Sequence, residues 1–246
     1  MIELRGKRVI ISGASSGIGL ATAQILADGG AEVGLVARRA DALEAAVTKV
    51  GGSSWGVRCD VSAPNSVRAL VEEASTRWGA VDGLVNNAGI APMATLDTTS
   101  TEVWDEVFAV NVRGPFLLCR ELGPLLALGS SPAVVNVSST LAERAIPGMA
   151  AYNASKAALN QLTRSLALEW APGVRVNAVM PAVVDTPIHA ARGMSSEQVQ
   201  EMGDIHPLGR VGQPNDVANA IAYLLSDASS WMTGAIIPVD GGMLAG

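Results

Sequence analysis

The sequence predicts an α/β fold built on a parallel sheet, and three observations carry that reading. Gly, Ala and Val are abundant, and short Gly/Pro breaks recur at regular intervals, as alternating strands and helices require. The chain opens with a strand, a glycine turn and a helix: Arg8-Val9-Ile10-Ile11, then Ser12-Gly13-Ala14-Ser15-Ser16-Gly17-Ile18-Gly19, then a helical segment over 20–27. With 246 residues, 49% of them apolar, the chain can bury one large core, and no linker is visible. A single domain over 1–246 is expected.

Composition narrows the function classes. A formal charge of −6 leaves no basic field for a phosphate backbone, so nucleic acid is not an expected partner. Cys59 and Cys119 are the only cysteines and read as reduced structural thiols, which suits a cytoplasmic protein. No apolar run approaches a membrane span, and Val9-Ile10-Ile11 is too short for a signal-peptide core. No repeat or metal-ligand spacing is present, and His189 and His206 are the only histidines.

Taken in order, strands are expected over 8–11, 32–36, 54–59, 81–85, 133–137, 174–179 and 235–239. Glycines at 13, 17 and 19 permit a tight turn and close approach of a ligand, and the following helix amino terminus offers free N–H groups to a pyrophosphate. The second strand ends in Ala37-Arg38-Arg39, where dinucleotide folds read the adenosine ribose. Two guanidiniums without an acid favour NADP(H), with NAD(H) as the alternative if the arginines are solvated loop charges or Asp41 pairs with one of them. Asp60 either accepts from an adenine amino group or caps the next turn. Asn86-Asn87-Ala88-Gly89 is a structural turn or a cofactor wall.

Residues 101–128 read as a helix apolar around most of its circumference, bent at Gly114-Pro115 and Gly123-Pro124. One sheet face cannot cover it, so a subunit interface shared with the helix over 152–170 is expected; a monomer by light scattering would contradict this. Asn111, a mediocre helix former, needs a reason to sit there. Mixed composition over about 185–205 suits a lid over a substrate. His189, within that lid, touches substrate or is simply solvated.

The chemistry centres on Tyr152-Asn153-Ala154-Ser155-Lys156. At helical spacing Tyr152 and Lys156 share a face, and a nearby ammonium lowers a phenol's pKa toward neutrality. The pair alone does not separate this from a packed ring beside a solvated amine. Ser139 follows a strand whose carboxyl end opens into the ligand cleft of a parallel sheet.

All of these stretches, in this order, resemble a short-chain dehydrogenase/reductase of the compact, single-domain type: the Ser12 to Gly19 turn, Asn86-Asn87-Ala88-Gly89, Asn111, Ser139, Tyr152-x-x-x-Lys156, 181–186 and Val239-Asp240-Gly241-Gly242. The resemblance implies a Rossmann-type, doubly wound parallel sheet of seven strands in the order 3-2-1-4-5-6-7, with helices on both faces. It implies Tyr152 as acid or base and Lys156 as its tuning partner and ribose ligand. Ser139 would donate to the substrate oxygen, and Asn111 would hold a relay water. Gly13, Ser15, Ile18 and Gly19 map to the pyrophosphate, Arg38 and Arg39 to the 2′-phosphate, and Asp60 and Val61 to adenine. Asn87, Ala88 and Gly89 map to the ribose, and Val184 and Thr186 to the nicotinamide carboxamide.

Expected substrate walls are Leu141, Glu143, Ile146, Met149, Val183, Ile188, His189 and Met194. Pro181-Ala182 stands where the family usually has Pro-Gly, and the extra methyl narrows the floor. The expected activity is NADP(H)-dependent interconversion of a small ketone or aldehyde with its alcohol, by a homotetramer. The alternative is reduction of a 3-oxoacyl group on acyl carrier protein. Against that reading, no lysine or arginine lies between Arg120 and Arg144 to dock an acidic partner. A nucleotide-sensing protein that keeps the fold without the chemistry is the remote alternative; such proteins tend to lose the tyrosine or lysine, and both are present.

Overall fold

The computed structural model describes residues 3–245. In chain order the elements are β1 (Arg8–Ser12), α1 (Gly17–Asp28), β2 (Glu32–Ala37), α2 (Ala40–Val50), β3 (Trp55–Arg58), α3 (Pro64–Trp78) and β4 (Gly83–Asn86). Then follow α4 (Thr101–Phe108), a π-helical turn (Ala109–Arg113), α5 (Gly114–Leu126), β5 (Ala133–Val137), a 3-10 turn (Thr140–Ala142) and α6 (Ala150–Trp170). The rest comprises β6 (Arg175–Pro181), α7 (Pro187–Ala190), α8 (Ser196–Glu201), α9 (Pro214–Leu225) and β7 (Ile236–Val239). The seven strands form one parallel sheet in the order β3-β2-β1-β4-β5-β6-β7. Strand bounds lie within two residues of the sequence reading, β5 coinciding with it, and the order matches the one that the resemblance implies.

Period-two alternation explains how one sheet feeds two cores. Val9, Ile11, Leu35, Val85 and Val135 face a layer that includes Ala23 and Leu26 of α1 and Ile221 of α9. Ile10, Val36, Leu84 and Val134 face the opposite layer, with Leu70 of α3 and Leu118 and Leu122 of α5. At the amino ends of the strands, buried Asp82 accepts from Arg8 Nε at 2.8 Å, Arg8 Nη2 at 3.1 Å and the Ser130 N–H at 2.6 Å. Burial pushes that carboxyl up, but the hydrogen bonds from Arg8 and Ser130 outweigh it and hold the group below the ordinary aspartate range. This brace lies at the end of the sheet away from the cleft.

The segment over 101–128 departs from a single bent helix. Pro115 has no N–H to offer the carbonyl four residues back, which is that of Asn111. The helix widens there, and the Gly114 N–H donates to Ala109 O in the i→i+5 pattern of a π turn. Most of the apolar residues of this segment, among them Val107, Leu117, Leu118, Leu122 and Leu126, are buried by the chain's own sheet and helices. Phe116 and Leu128 are left exposed, Val103, Trp104 and Phe108 are half-buried, and Leu168 of α6 is exposed, so part of the apolar surface of these two helices remains open. Among the described residues, no helix is long and apolar enough to cross a membrane.

Candidate active site

The carboxyl ends of the strands and the 181–205 segment enclose a cavity of about 1040 Å³. Tyr152 and Lys156, one turn apart on α6, and Ser139, just beyond β5, line its inner end. Tyr152 is 8% exposed and Lys156 4%. Lys156 Nζ donates to Val137 O at 2.8 Å and stands 5.7 Å from the Tyr152 ring centroid. Ser139 accepts from the Leu141 N–H at 3.1 Å, which fixes the hydroxyl at the start of the 3-10 turn. Ser138 is also at the cavity, but its hydroxyl is taken up by α6, donating to Lys156 O at 3.3 Å.

Electrostatics here differ from the sequence expectation. Burial raises the Tyr152 pKa above its ordinary value, while the Ser139 hydroxyl and the Arg192 guanidinium pull it down. Lys156 is itself buried beside the ring, and burial lowers its own pKa to about 8. A second cation, the Arg192 guanidinium, also bears on the phenol, its Cζ 5.6 Å from the ring centroid.

Asn111 lies behind the cavity wall. Its Oδ1 accepts from the Ile90 N–H at 2.9 Å, and its Nδ2 donates to Ile90 O at 2.9 Å and Ser155 Oγ at 3.0 Å. Ser155 in turn donates to Tyr152 O at 2.7 Å. The asparagine therefore ties the wall after β4 to the first turn of α6. This accounts for a polar residue that is fully buried in a helix.

At the other end, Ser16 precedes α1 without a side-chain cap, leaving the first N–H groups of that helix toward the cavity. Gly13, Ser15, Ile18, Asp60, Val61, Asn87, Ala88, Gly89, Val184 and Thr186 all line the cavity. Gly19 does not: a Cβ there would fall 2.5 Å from Asn87 Nδ2, so the glycine serves the packing of the turn and not a ligand directly. Asn87 Nδ2 donates to Ser12 O and Gly13 O, both at 3.0 Å, while Ser12 Oγ accepts from the N–H groups of Asn87 and Ala88. The asparagine turn is thus brace and wall at once. Asp60 accepts from Ser62 N–H and Oγ, capping its own turn. Arg38 and Arg39 are exposed on the rim, and among the described residues neither forms an ion pair, with Asp41 or any other acid. Open helix N–H groups, unpaired guanidiniums and a cleft at the strand ends fit a dinucleotide.

The substrate walls are partly corrected. Leu141, Ile146, Val183, Ile188, His189 and Met194 line the cavity. Glu143 does not; it is exposed at the end of the 3-10 turn. Met149 is buried behind Tyr152, packed with Ala91, and so supports the phenol from outside the cavity. His189 is not a solvated histidine: it is buried, its Nε2 lies 3.0 Å from Val184 O, and burial lowers its pKa, with Arg192 adding to the effect. Arg192 and Ser155 escaped the sequence reading. Arg192 falls where periodicity is weak, and the i, i+3 spacing of Ser155 to Tyr152 was the only available hint of its role.

Comparison with known proteins finds relatives over nearly the whole chain. A family model described as Enoyl-(Acyl carrier protein) reductase matches residues 13–244. The cis-4-hydroxycyclohexanecarboxylate dehydrogenase of Sinomonas cyclohexanicum is 41% identical over 100% of both chains. The D-threitol dehydrogenase of Mycolicibacterium smegmatis is 35% identical over 98% of this chain and 94% of its own. The 3-ketoacyl-(acyl-carrier-protein) reductase from Brucella melitensis, solved in complex with NADH, superposes with a TM-score of 0.92 at 37% identity, covering 98% of this chain and 99% of that one. The chain belongs to the short-chain dehydrogenase/reductase family and is an oxidoreductase of alcohols or ketones that works with a nicotinamide cofactor.

Proposed function

We propose that the protein interconverts a compact secondary alcohol and its ketone with NADP(H), Tyr152 taking or giving the proton. The observation that carries this is the convergence of Tyr152, Ser139 and Lys156 at one end of a cavity whose other end holds the uncapped α1 terminus and two unpaired arginines.

The N–H groups opening α1, with Gly13, Ser15 and Ile18, hold the pyrophosphate. Arg38 and Arg39 take the 2′-phosphate, Asp60 and Val61 the adenine, Asn87, Ala88 and Gly89 the ribose, and Val184 and Thr186 the carboxamide. The bound nicotinamide supplies or accepts hydride at the carbinol carbon. Ser139 donates a hydrogen bond to the substrate oxygen. Tyr152 protonates that oxygen on reduction and removes its proton on oxidation. Lys156 binds the ribose hydroxyls and exchanges protons with Tyr152, on a frame that Asn111 and Ser155 keep rigid. The 185–205 segment closes over the substrate and excludes water. A hydroxycyclohexane acid, as in the name of the Sinomonas relative, is the first substrate to assay.

Reduction of a 3-oxoacyl group on acyl carrier protein is the second reading, favoured by the likeness to the Brucella enzyme. The absence of basic residues between Arg120 and Arg144 weighs against it.

Cofactor choice is tested by kcat/KM with NADPH and NADH in the native protein and in Arg38→Ala and Arg39→Ala. A charge-assisted hydrogen bond is worth about 1.5–3 kcal/mol, so each variant is expected to lose roughly ten- to a hundredfold with NADPH and little with NADH. Equal or better use of NADH by the native protein would contradict the NADP(H) assignment.

A further inference from the structure

Arg192 is half-buried at the substrate end of the cavity, and its polar contacts are incomplete. Nε donates to Ala91 O at 2.7 Å, which fixes the plane of the guanidinium. Its face lies toward the Tyr152 ring, with Cζ 5.6 Å from the centroid. Among the described residues Nη1 and Nη2 have no acceptor, and no carboxylate stands within ion-pair distance. The acids on the cavity wall, Asp60 and Glu106, are not paired with it. A half-buried guanidinium without a counter-charge carries a desolvation cost, and burial lowers its pKa. If it served only to latch the 187–194 segment to Ala91, a neutral donor would do that work without the cost. A planar fork held by Nε, with both terminal nitrogens free in a cavity, is the geometry that grips a carboxylate in bidentate fashion.

We propose that Arg192 is a specificity residue that pairs with a carboxylate on the substrate, so that the preferred substrates are compact hydroxy or oxo acids and not neutral alcohols. The closeness of the guanidinium to Tyr152 means that the acid group and the reacting carbon are separated by a short scaffold. The inference rests on the alcohol–ketone reading of this cavity and adds to it the charge of the substrate.

Binding and turnover test it separately. Cyclohexanecarboxylate and its neutral counterpart cyclohexanecarboxamide, neither of which can be oxidised as an alcohol, are titrated calorimetrically into native protein, Arg192→Gln and Arg192→Lys, with and without NADP⁺. The native protein is expected to bind the carboxylate at least ~10-fold more tightly than the amide. Arg192→Gln is expected to erase that ratio and Arg192→Lys to keep part of it. In kinetics, the kcat/KM ratio of 4-hydroxycyclohexanecarboxylate to its amide should fall by the same factor.

No preference in the native protein, or a preference that survives in Arg192→Gln, would overturn the proposal. So would a loss that appears instead in NADP⁺ affinity, measured by fluorescence titration, since the anion would then be a cofactor phosphate. Carboxylate discrimination in calorimetry without oxidation of any alcohol would fault the reaction and leave the anion site standing. Turnover of neutral and acidic alcohols alike would do the reverse.

Discussion

Lys156 shows what residue spacing can and cannot tell. Its four-residue offset from Tyr152 was legible in the sequence, and α6 does place both on the cavity wall. Its electrostatic state was not legible, because burial to 4% exposure depends on how β5 and α6 pack. The same holds for Arg192, which reaches the Tyr152 ring from forty positions away through a fold that no local pattern encodes. Lys156 carries a pH signature. Burial lowers its pKa from 10.5 to about 8 in the folded chain, so between those values the unfolded chain binds more protons and stability rises with pH. The full window corresponds to a contribution on the order of 3 kcal/mol. Tyr152, with its raised pKa, opposes this trend only toward the alkaline end. Thermal unfolding at pH 8 and pH 9.5 should therefore show native protein gaining stability relative to Lys156→Met as pH rises. A gap that stays constant or moves the other way would contradict the assigned burial penalty.

Among the elements, the glycine turn was recognised from its flanking strand and helix, yet the reason for its third glycine came from elsewhere in the chain. Gly13, at φ +66°, takes a conformation that disfavours a side chain, and Gly19 is crowded by Gly13 O and Asn87 Nδ2. Asn87 therefore dictates the glycines through packing, and its run both braces the turn and lines the cavity. Gly19→Ala should cost about 1–3 kcal/mol, as overpacking does, and should also weaken dinucleotide binding by displacing the turn. Urea unfolding and cofactor fluorescence titration check the two effects; unchanged values in both would show that the turn has slack the packing denies. The helix over 101–128 was legible as apolar and bent. Its π turn was not, because the sequence marks Pro115 as a disturbance without saying whether the helix kinks or widens.

For the whole molecule, alternation of buried strands and helices was enough to name an α/β fold, and the family that the ordered motifs resemble implied the strand order that the sheet displays. What stayed hidden were surfaces decided by packing. Apolar residues over 101–128 that pointed to a large interface are mostly covered by the chain itself, Glu143 turns to solvent, and Met149 sits behind the phenol. The cavity runs from the uncapped start of α1 to Tyr152, and the central proposal is that hydride and proton transfer meet there. The direct test is a single turnover of NADPH with a carbonyl panel that includes 4-oxocyclohexanecarboxylate, followed by loss of reduced-nicotinamide absorbance in native protein and Tyr152→Phe. Tyr152→Phe is expected to bind NADPH as the native protein does and to reduce the ketone roughly 10²–10⁴-fold more slowly, the usual worth of a general acid. Native-like rates in Tyr152→Phe would remove Tyr152 from the chemistry and contradict the account.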